Sequence, residues 1–136
     1  MRFGIHVPRQ RSLKATAEYA RDIGCSAFQI FSGNPVGWTI GRLEPSDRAG
    51  FVETVASARM GPVLVHAPYL INLATGDSSL RRLSTGALAD GLARAAALQA
   101  GPLIVHAGNH KGSGSSRGVE RAVGMISDAL EAAPSE

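Results

Sequence analysis

Four short apolar runs punctuate the chain: Arg2–Val7, Ala27–Ser32, Pro62–His66 and Pro102–His106. Each is rich in Val, Ile, Leu or Phe, and none alternates apolar with polar positions. That is the pattern of strands buried on both faces, as in a parallel sheet. A stretch with helical spacing follows each run. Ser12 can cap the first, with Leu13, Ala17, Tyr19, Ala20 and Ile23 on its apolar side and Gly24 at its stop. Ser46 or Asp47 can cap the second, where Phe51, Val55 and Ala58 recur. The third runs from about Ser78 to Leu98, with Leu80, Leu83, Leu88, Leu92 and Ala95 as its buried positions and Gly101 beyond it. The fourth runs from about Val119 to Ala133 and buries Val123, Ile126 and Leu130.

The order is a βα unit repeated four times, which implies a parallel sheet with right-handed crossovers. Such a (βα)4 chain is either an open sheet or half of a (βα)8 TIM barrel, which needs about 250 residues. The chain has 136 residues and reads as one domain over 1–136, with 134–136 as a tail. The stretch Gly112-Ser113-Gly114-Ser115-Ser116 reads as a flexible loop before the fourth helix.

Composition narrows this little. The chain is 44% hydrophobic and 18% charged, ordinary for a globular protein and too apolar for a disordered one. No apolar run approaches the ~20 residues of a membrane span, and the N-terminus lacks a signal-peptide core, so a cytoplasmic protein with no membrane partner is expected. Cys25 is the only cysteine, which excludes an internal disulfide and a thiolate metal cluster. The formal charge is +3, with twelve arginines and two lysines, compatible with a phosphate-bearing partner or with a merely solvated surface.

Histidine placement carries the chemistry. Ligands of parallel α/β folds sit at the C-terminal ends of the strands. His6, His66 and His106 close three of the four runs, and His110 lies four residues further along. Imidazole there can ligate zinc or manganese, act as a base, or bind phosphate; alternatively each ring is a hydrogen-bonded strand-end residue. The recurrence of Val63-Leu64-Val65-His66-Ala67 in Leu103-Ile104-Val105-His106-Ala107 favours a shared metal site, since packing has no need of a polar ring twice. Asn34-Pro35-Val36-Gly37-Trp38 places the only tryptophan after the second run, and Tyr69-Leu70 after His66 reads as a projecting wedge or as a loop folding back. There is no P-loop or nucleophile elbow. Asp22, Glu44, Asp47, Asp90 and Glu120 lie on helices or helix starts, so no complete catalytic set is present.

These segments, taken together, resemble endonuclease IV, an AP endonuclease family of xylose-isomerase-like TIM barrels, over its N-terminal half. The resemblance rests on Gly4-Ile5-His6-Val7, on Phe28-Gln29-Ile30-Phe31 leading to Asn34-Pro35 and Trp38, on Val105-His106-Ala107-Gly108-Asn109-His110, and most specifically on His66-Ala67-Pro68-Tyr69-Leu70-Ile71-Asn72-Leu73-Ala74. It implies a trinuclear zinc site that cleaves the phosphodiester 5′ to an abasic site during base-excision repair. It makes His66 and His106 two histidine ligands, for zinc or manganese. Tyr69 and Leu70 become residues that enter the minor groove of DNA containing abasic sites. His6, Asn34, Trp38 and His110 fall on the DNA-facing rim.

Two departures qualify what is expected of this chain. Val36 stands where many family members carry an arginine or another polar residue. The glutamate of the fifth strand and the later Asp, His and Glu ligands also have no counterpart within 136 residues. The chain is therefore expected to be inactive alone and to need a complementary C-terminal half. A second expectation, of another class, is a non-catalytic half barrel that closes as a homodimer and binds metal or nucleic acid. A third, a sugar-isomerase-like enzyme, gives no reason for an apolar wedge at Tyr69–Leu73.

Overall fold

The computed structural model describes residues 1–133. Its elements follow the order α1 (Leu13–Asp22), β1 (Phe28–Phe31), α2 (Pro45–Ser57), β2 (Val63–His66), α3 (Ser78–Ala97), β3 (Leu103–Ile104) and α4 (Ser115–Ala132). The three strands form one parallel sheet in the order β1-β2-β3, with Phe28 opposite Val63 and His66 opposite Ile104. From β1 onward the alternation of strand and helix is the one the hydrophobic pattern predicts, with three strands in place of the four expected. No described helix is long and apolar enough to cross a membrane. The expected tail at 134–136 lies outside the described residues.

The first apolar run is not a regular strand. It lies extended beside β1, with Gln29 N–H donating to the Ile5 carbonyl (3.0 Å) and Val7 N–H to the Gln29 carbonyl (2.8 Å), but only His6 and Gln29 form a regular parallel bridge. The reason is local. Ser26 and Ala27 both donate to the Phe3 carbonyl, and Gly4 approaches Ala27 so closely that a Cβ there would overlap its carbonyl oxygen. Pairing on one side only, with this crowded start, leaves a single regular bridge. At the other edge, β3 ends after two residues, so His106 lies beyond the strand and does not close it as predicted. In register, the β3 partner of His66 is Ile104, two residues before His106 in the chain.

The chain divides into two compact units. One comprises Met1–Ser32, Gly41–His66 and Arg94–Ile104; the other comprises Gly33–Ile40, Ala67–Ala93 and the residues from Val105 onward. The first holds the sheet and a core of Val7, Leu13, Ala17, Ala20, Phe28, Ile30, Phe51, Met60, Val63, Val65, Ala95 and Leu98. Every second residue of β1 and β2 enters it, and Phe51 brings α2 onto it, its ring edge-on to Phe28 at 6.3 Å.

Helix ends depart instructively from expectation. Ser12 caps α1, its hydroxyl accepting from Ala15 N–H at 3.0 Å. Asp47 does not cap its own helix, which starts behind Glu44 with Pro45 at its first position and no side-chain cap. Its carboxylate instead accepts from Leu13 N–H (2.9 Å) and Lys14 N–H (2.8 Å), so the start of α2 caps α1 from outside. Two charge-assisted bonds to orphan N–H groups at the positive end of a helix dipole predict that Asp47→Ala lowers stability by about 1–2 kcal/mol. Urea denaturation checks this, and a change below about 0.3 kcal/mol contradicts it.

In the second unit, α4 begins at Ser115, before the predicted Val119, and it corrects one expectation outright. Its buried residues are Gly118, Met125 and Ala129, while Val123, Ile126 and Leu130, expected inside, are exposed. The same reversal touches Leu83 on α3 and, in the first unit, Tyr19 on α1 and Ile23 at its C-terminal cap. A helical stripe shows only that a face is apolar; what covers it depends on the neighbours present.

Candidate functional site

In the first unit, the end of β2 delivers His66 into a cluster of rings. His66 is buried, with its centroid 5.0 Å from Phe31 and 5.9 Å from His6; His6 lies 4.5 Å from Phe31. His6 comes from the extended N-terminal run and is held by Gln29, whose Nε2 is 2.6 Å from His6 Nδ1. With the amide nitrogen as donor, the neutral imidazole accepts at Nδ1 and carries its proton on Nε2. Partial burial, and then the neighbouring His66, hold the His6 pKa below its ordinary value. The neutral ring is therefore favoured in the fold. Protonation favours the unfolded chain, so the His6 contribution to stability is lost as pH falls below the unfolded histidine value of about 6.5. In an NMR titration, the His6 ring signals should move at lower pH than those of an unfolded histidine; a midpoint at or above about 6.5 contradicts this.

The second unit holds the loops that follow the strands, and hydrogen bonds tie them together. After β1, Asn34 makes a turn, its Oδ1 accepting from Val36 N–H at 3.1 Å. The Pro35 carbonyl of that turn accepts from Tyr69 N–H at 2.8 Å. After β2, Asn72 serves as a clamp. Its Oδ1 accepts from Ala74 N–H (3.1 Å) and Asn109 N–H (2.9 Å), its Nδ2 donates to the Asn109 carbonyl (3.0 Å), and its own N–H donates to Ser84 Oγ (3.1 Å). Ala74 N–H also donates to the Ala107 carbonyl. The loop after β2 is thus joined to the loop after β3 through three bonds to backbone groups.

On this frame Ile71, Leu73 and Ala74 point inward and are buried, while Tyr69 stands out at 56% exposure. Its ring stacks on that of the exposed His106, 6.0 Å between centroids at 25°. Leu70 and Trp38 are half-buried, and Asn34 and Val36 are exposed. His110 is engaged in its own loop: Nδ1 accepts from Gly114 N–H (3.2 Å), and its carbonyl accepts from Ser113 N–H and Ser113 Oγ.

The structure thus gathers His6 and His66 in one unit and Asn34, Trp38, Tyr69, Leu70, His106 and His110 in the other. Sequence reasoning misses two contributors: it treats Gln29 only as part of a strand and Asn72 only as part of a motif. A polar residue inside an otherwise apolar loop is the signal that marks Asn72. Among the described residues no group of three or more His, Cys, Asp or Glu side chains is placed to share a metal ion, so the donors of this chain do not by themselves fit a zinc centre.

A parallel α/β architecture whose post-strand loops bear imidazoles, amides and an exposed aromatic belongs with the barrels that bind ligands at the carboxyl ends of their strands. The chain belongs to the xylose isomerase-like TIM barrel family, whose model matches residues 17–136. It is 40% identical over 128 residues to a probable endonuclease 4 of Methanoculleus marisnigri, covering 94% of this chain and 45% of that protein. It is 35% identical over 131 residues to a probable endonuclease 4 of Natranaerobius thermophilus, covering 96% and 45%. The crystal structure of endonuclease IV from Thermus thermophilus superimposes with a TM-score of 0.85 and 30% identity, over 100% of this chain and 48% of that one. A D-tagatose 3-epimerase-like protein matches at TM-score 0.69 and 22% identity, which shows a shared fold alone. The chain spans about half the length of the curated relatives it matches. It is an α/β half of a TIM barrel, similar to endonuclease IV proteins over their N-terminal half.

Proposed function

We propose that the chain supplies the N-terminal half of a metal-dependent nuclease that cleaves DNA at abasic sites. The observation that carries the reading is the post-β2 loop. Ile71, Leu73 and Ala74 anchor it in apolar surroundings, Asn72 locks it, and Tyr69 is left projecting. An exposed aromatic on a rigid loop suits insertion beside a base step or stacking on an unpaired base. A small-sugar site gives no comparable use for it. Leu70 stands beside it, and Asn34, Trp38, His6 and His110 supply the rim.

His66 and His106 are the metal ligands in this reading, for zinc or manganese, as a partial set. In this reading the remaining ligands come from the half barrel that this chain does not cover. The chain alone is accordingly inactive and completes its site only with a complementary half. The competing outcome, a self-associated half barrel, is favoured by the exposed Phe3 and Ile5 of the N-terminal edge, a surface prone to pair with another copy.

Solution mass and metal content of the purified chain, measured together with and without zinc, separate the two. A metal-free monomer without incision activity agrees with the half-site reading. A zinc-loaded dimer overturns it in favour of self-association.

A further inference from the structure

The groove between α3 and α4 holds a group of charges that the proposed function leaves unused. Arg81 comes from the first turn of α3, and Arg117, Glu120, Arg121 and Gly124 recur along one face of α4. Together they line an open cavity of about 460 Å³. Three guanidiniums around one space repel each other and any further cation. The carboxylates at hand do not match them. Asp128 pairs with Arg81 at 2.9 Å, and Arg121 donates to the neutral Ser113 hydroxyl at 2.8 Å. Among the described residues, neither Arg117 nor Glu120 forms a salt bridge. With Glu120 and Asp128 ionised, one positive charge is left over, and Arg117 offers its forked N–H donors to no carboxylate.

This chemistry selects an oxoanion. A metal ion meets three cations here, and no aromatic ring lines the cavity to hold a sugar face. Planar guanidinium forks match the oxygens of a phosphate. Position indicates where that phosphate comes from. A Cβ at Gly76 would lie 3.1 Å from Arg121 Nη1, so Arg121 rests against the loop that carries Tyr69. Ser113, its hydrogen-bond partner, donates to the His110 carbonyl at 2.8 Å and belongs to the next loop. Arg81 and Arg117 are exposed, and the cavity is far larger than a phosphate group alone fills. A phosphate within a strand that crosses the surface suits this better than a buried ion. We infer that Arg81, Arg117 and Arg121 form a site for a backbone phosphate of a nucleic acid strand, on the outer surface between α3 and α4. Only the choice of nucleic acid as the source rests on the proposed function; the anion site itself rests on the guanidinium cluster.

Binding of a short undamaged DNA duplex, followed by fluorescence anisotropy across a potassium chloride series, reads the site without incision. One neutralised phosphate contributes about 0.9 to the slope of log affinity against log salt. Arg117→Gln should weaken binding and lower that slope by about 1. Arg117→Lys keeps the charge and loses the fork, so it should weaken binding with little change of slope. Glu120→Gln should tighten binding, which a merely structural role for these residues does not produce. Inorganic phosphate titrated into the isotope-labelled chain should shift the Nε–H signals of Arg117 and Arg121. An unchanged slope in Arg117→Gln overturns the strand as the source of the phosphate, and arginine signals unmoved by inorganic phosphate overturn the site. Arg117-dependent binding of a polyglutamate peptide as tight as that of the duplex overturns phosphate as the ligand in favour of an acidic protein. A slope change without incision of abasic DNA contradicts only the proposed function; incision with an unchanged slope contradicts only this inference.

Discussion

Truncating Phe51 to alanine should remove about 3–5 kcal/mol of stability, the largest loss expected from any single change in the first unit. Phe51 is fully buried, it is the large side chain through which α2 reaches the core, and its ring meets Phe28 edge-on at 6.3 Å. Alanine leaves a cavity that its neighbours do not readily fill, because Val52 sits on another face of the helix and Val55, one turn along the same face, already packs against the core in its own place. The loss is a large fraction of the whole stability of a small domain, roughly 5–15 kcal/mol. Thermal or urea unfolding measures it. A loss under about 1 kcal/mol would mean that α2 is held by something other than this ring.

The second large effect concerns the loop clamp. Gly108 has φ +86°, and a Cβ added there would overlap Asn72 Oδ1 and lie 2.8 Å from Asn72 Cα. Gly108→Ala should cost about 3 kcal/mol, combining roughly 1 kcal/mol for a left-handed backbone with the remainder for overpacking. The parts are separable. In an Asn72→Ala background the overlap with the amide is gone while the 2.8 Å approach to the Cα stays, so the same substitution should cost less, about 2 kcal/mol. A double-mutant cycle with equal costs in both backgrounds would show that Asn72 and Gly108 do not act on each other. The functional consequence is the release of the loop after β3 from the loop carrying Tyr69.

Much of this is legible in the residues. Val63–His66 is a non-alternating apolar run with strand neighbours on both sides, and it forms a strand over that range. Ser12 followed by Leu13, Ala17 and Ala20 specifies the start and inner face of α1, since capping and helical spacing are local properties. Edge elements are less legible. Arg2–Val7 has strand composition, but the close approach at Gly4 permits one regular bridge, and Pro102–His106 retains only two paired residues because it has a neighbour on one side. Ser115 and Ser116 read as loop residues, yet they occupy the first turn of α4, where poor helix formers are tolerated. The outward stripe of α4 escapes sequence reading because periodicity identifies an apolar face without naming what covers it.

The site is legible by type more than by geometry. A histidine at the end of three of the four apolar runs points to the carboxyl ends of the strands. Burial and register then distinguish His66 at the end of β2 from the exposed His106 two residues past β3. The Asn72 clamp spans 37 residues of chain to Asn109, and no local pattern encodes such a pairing. Gln29, 23 residues from His6, is hidden for the same reason.

The proposed function is tested most directly by incision of a duplex carrying a single abasic site by this chain reconstituted with the complementary half barrel. Cleavage by the complex but not by this chain alone is expected, lowered at least about 100-fold by His66→Ala or His106→Ala if the two rings hold metal as proposed. A folded complex that leaves the abasic strand intact, or that cleaves equally well without these two histidines, would contradict it.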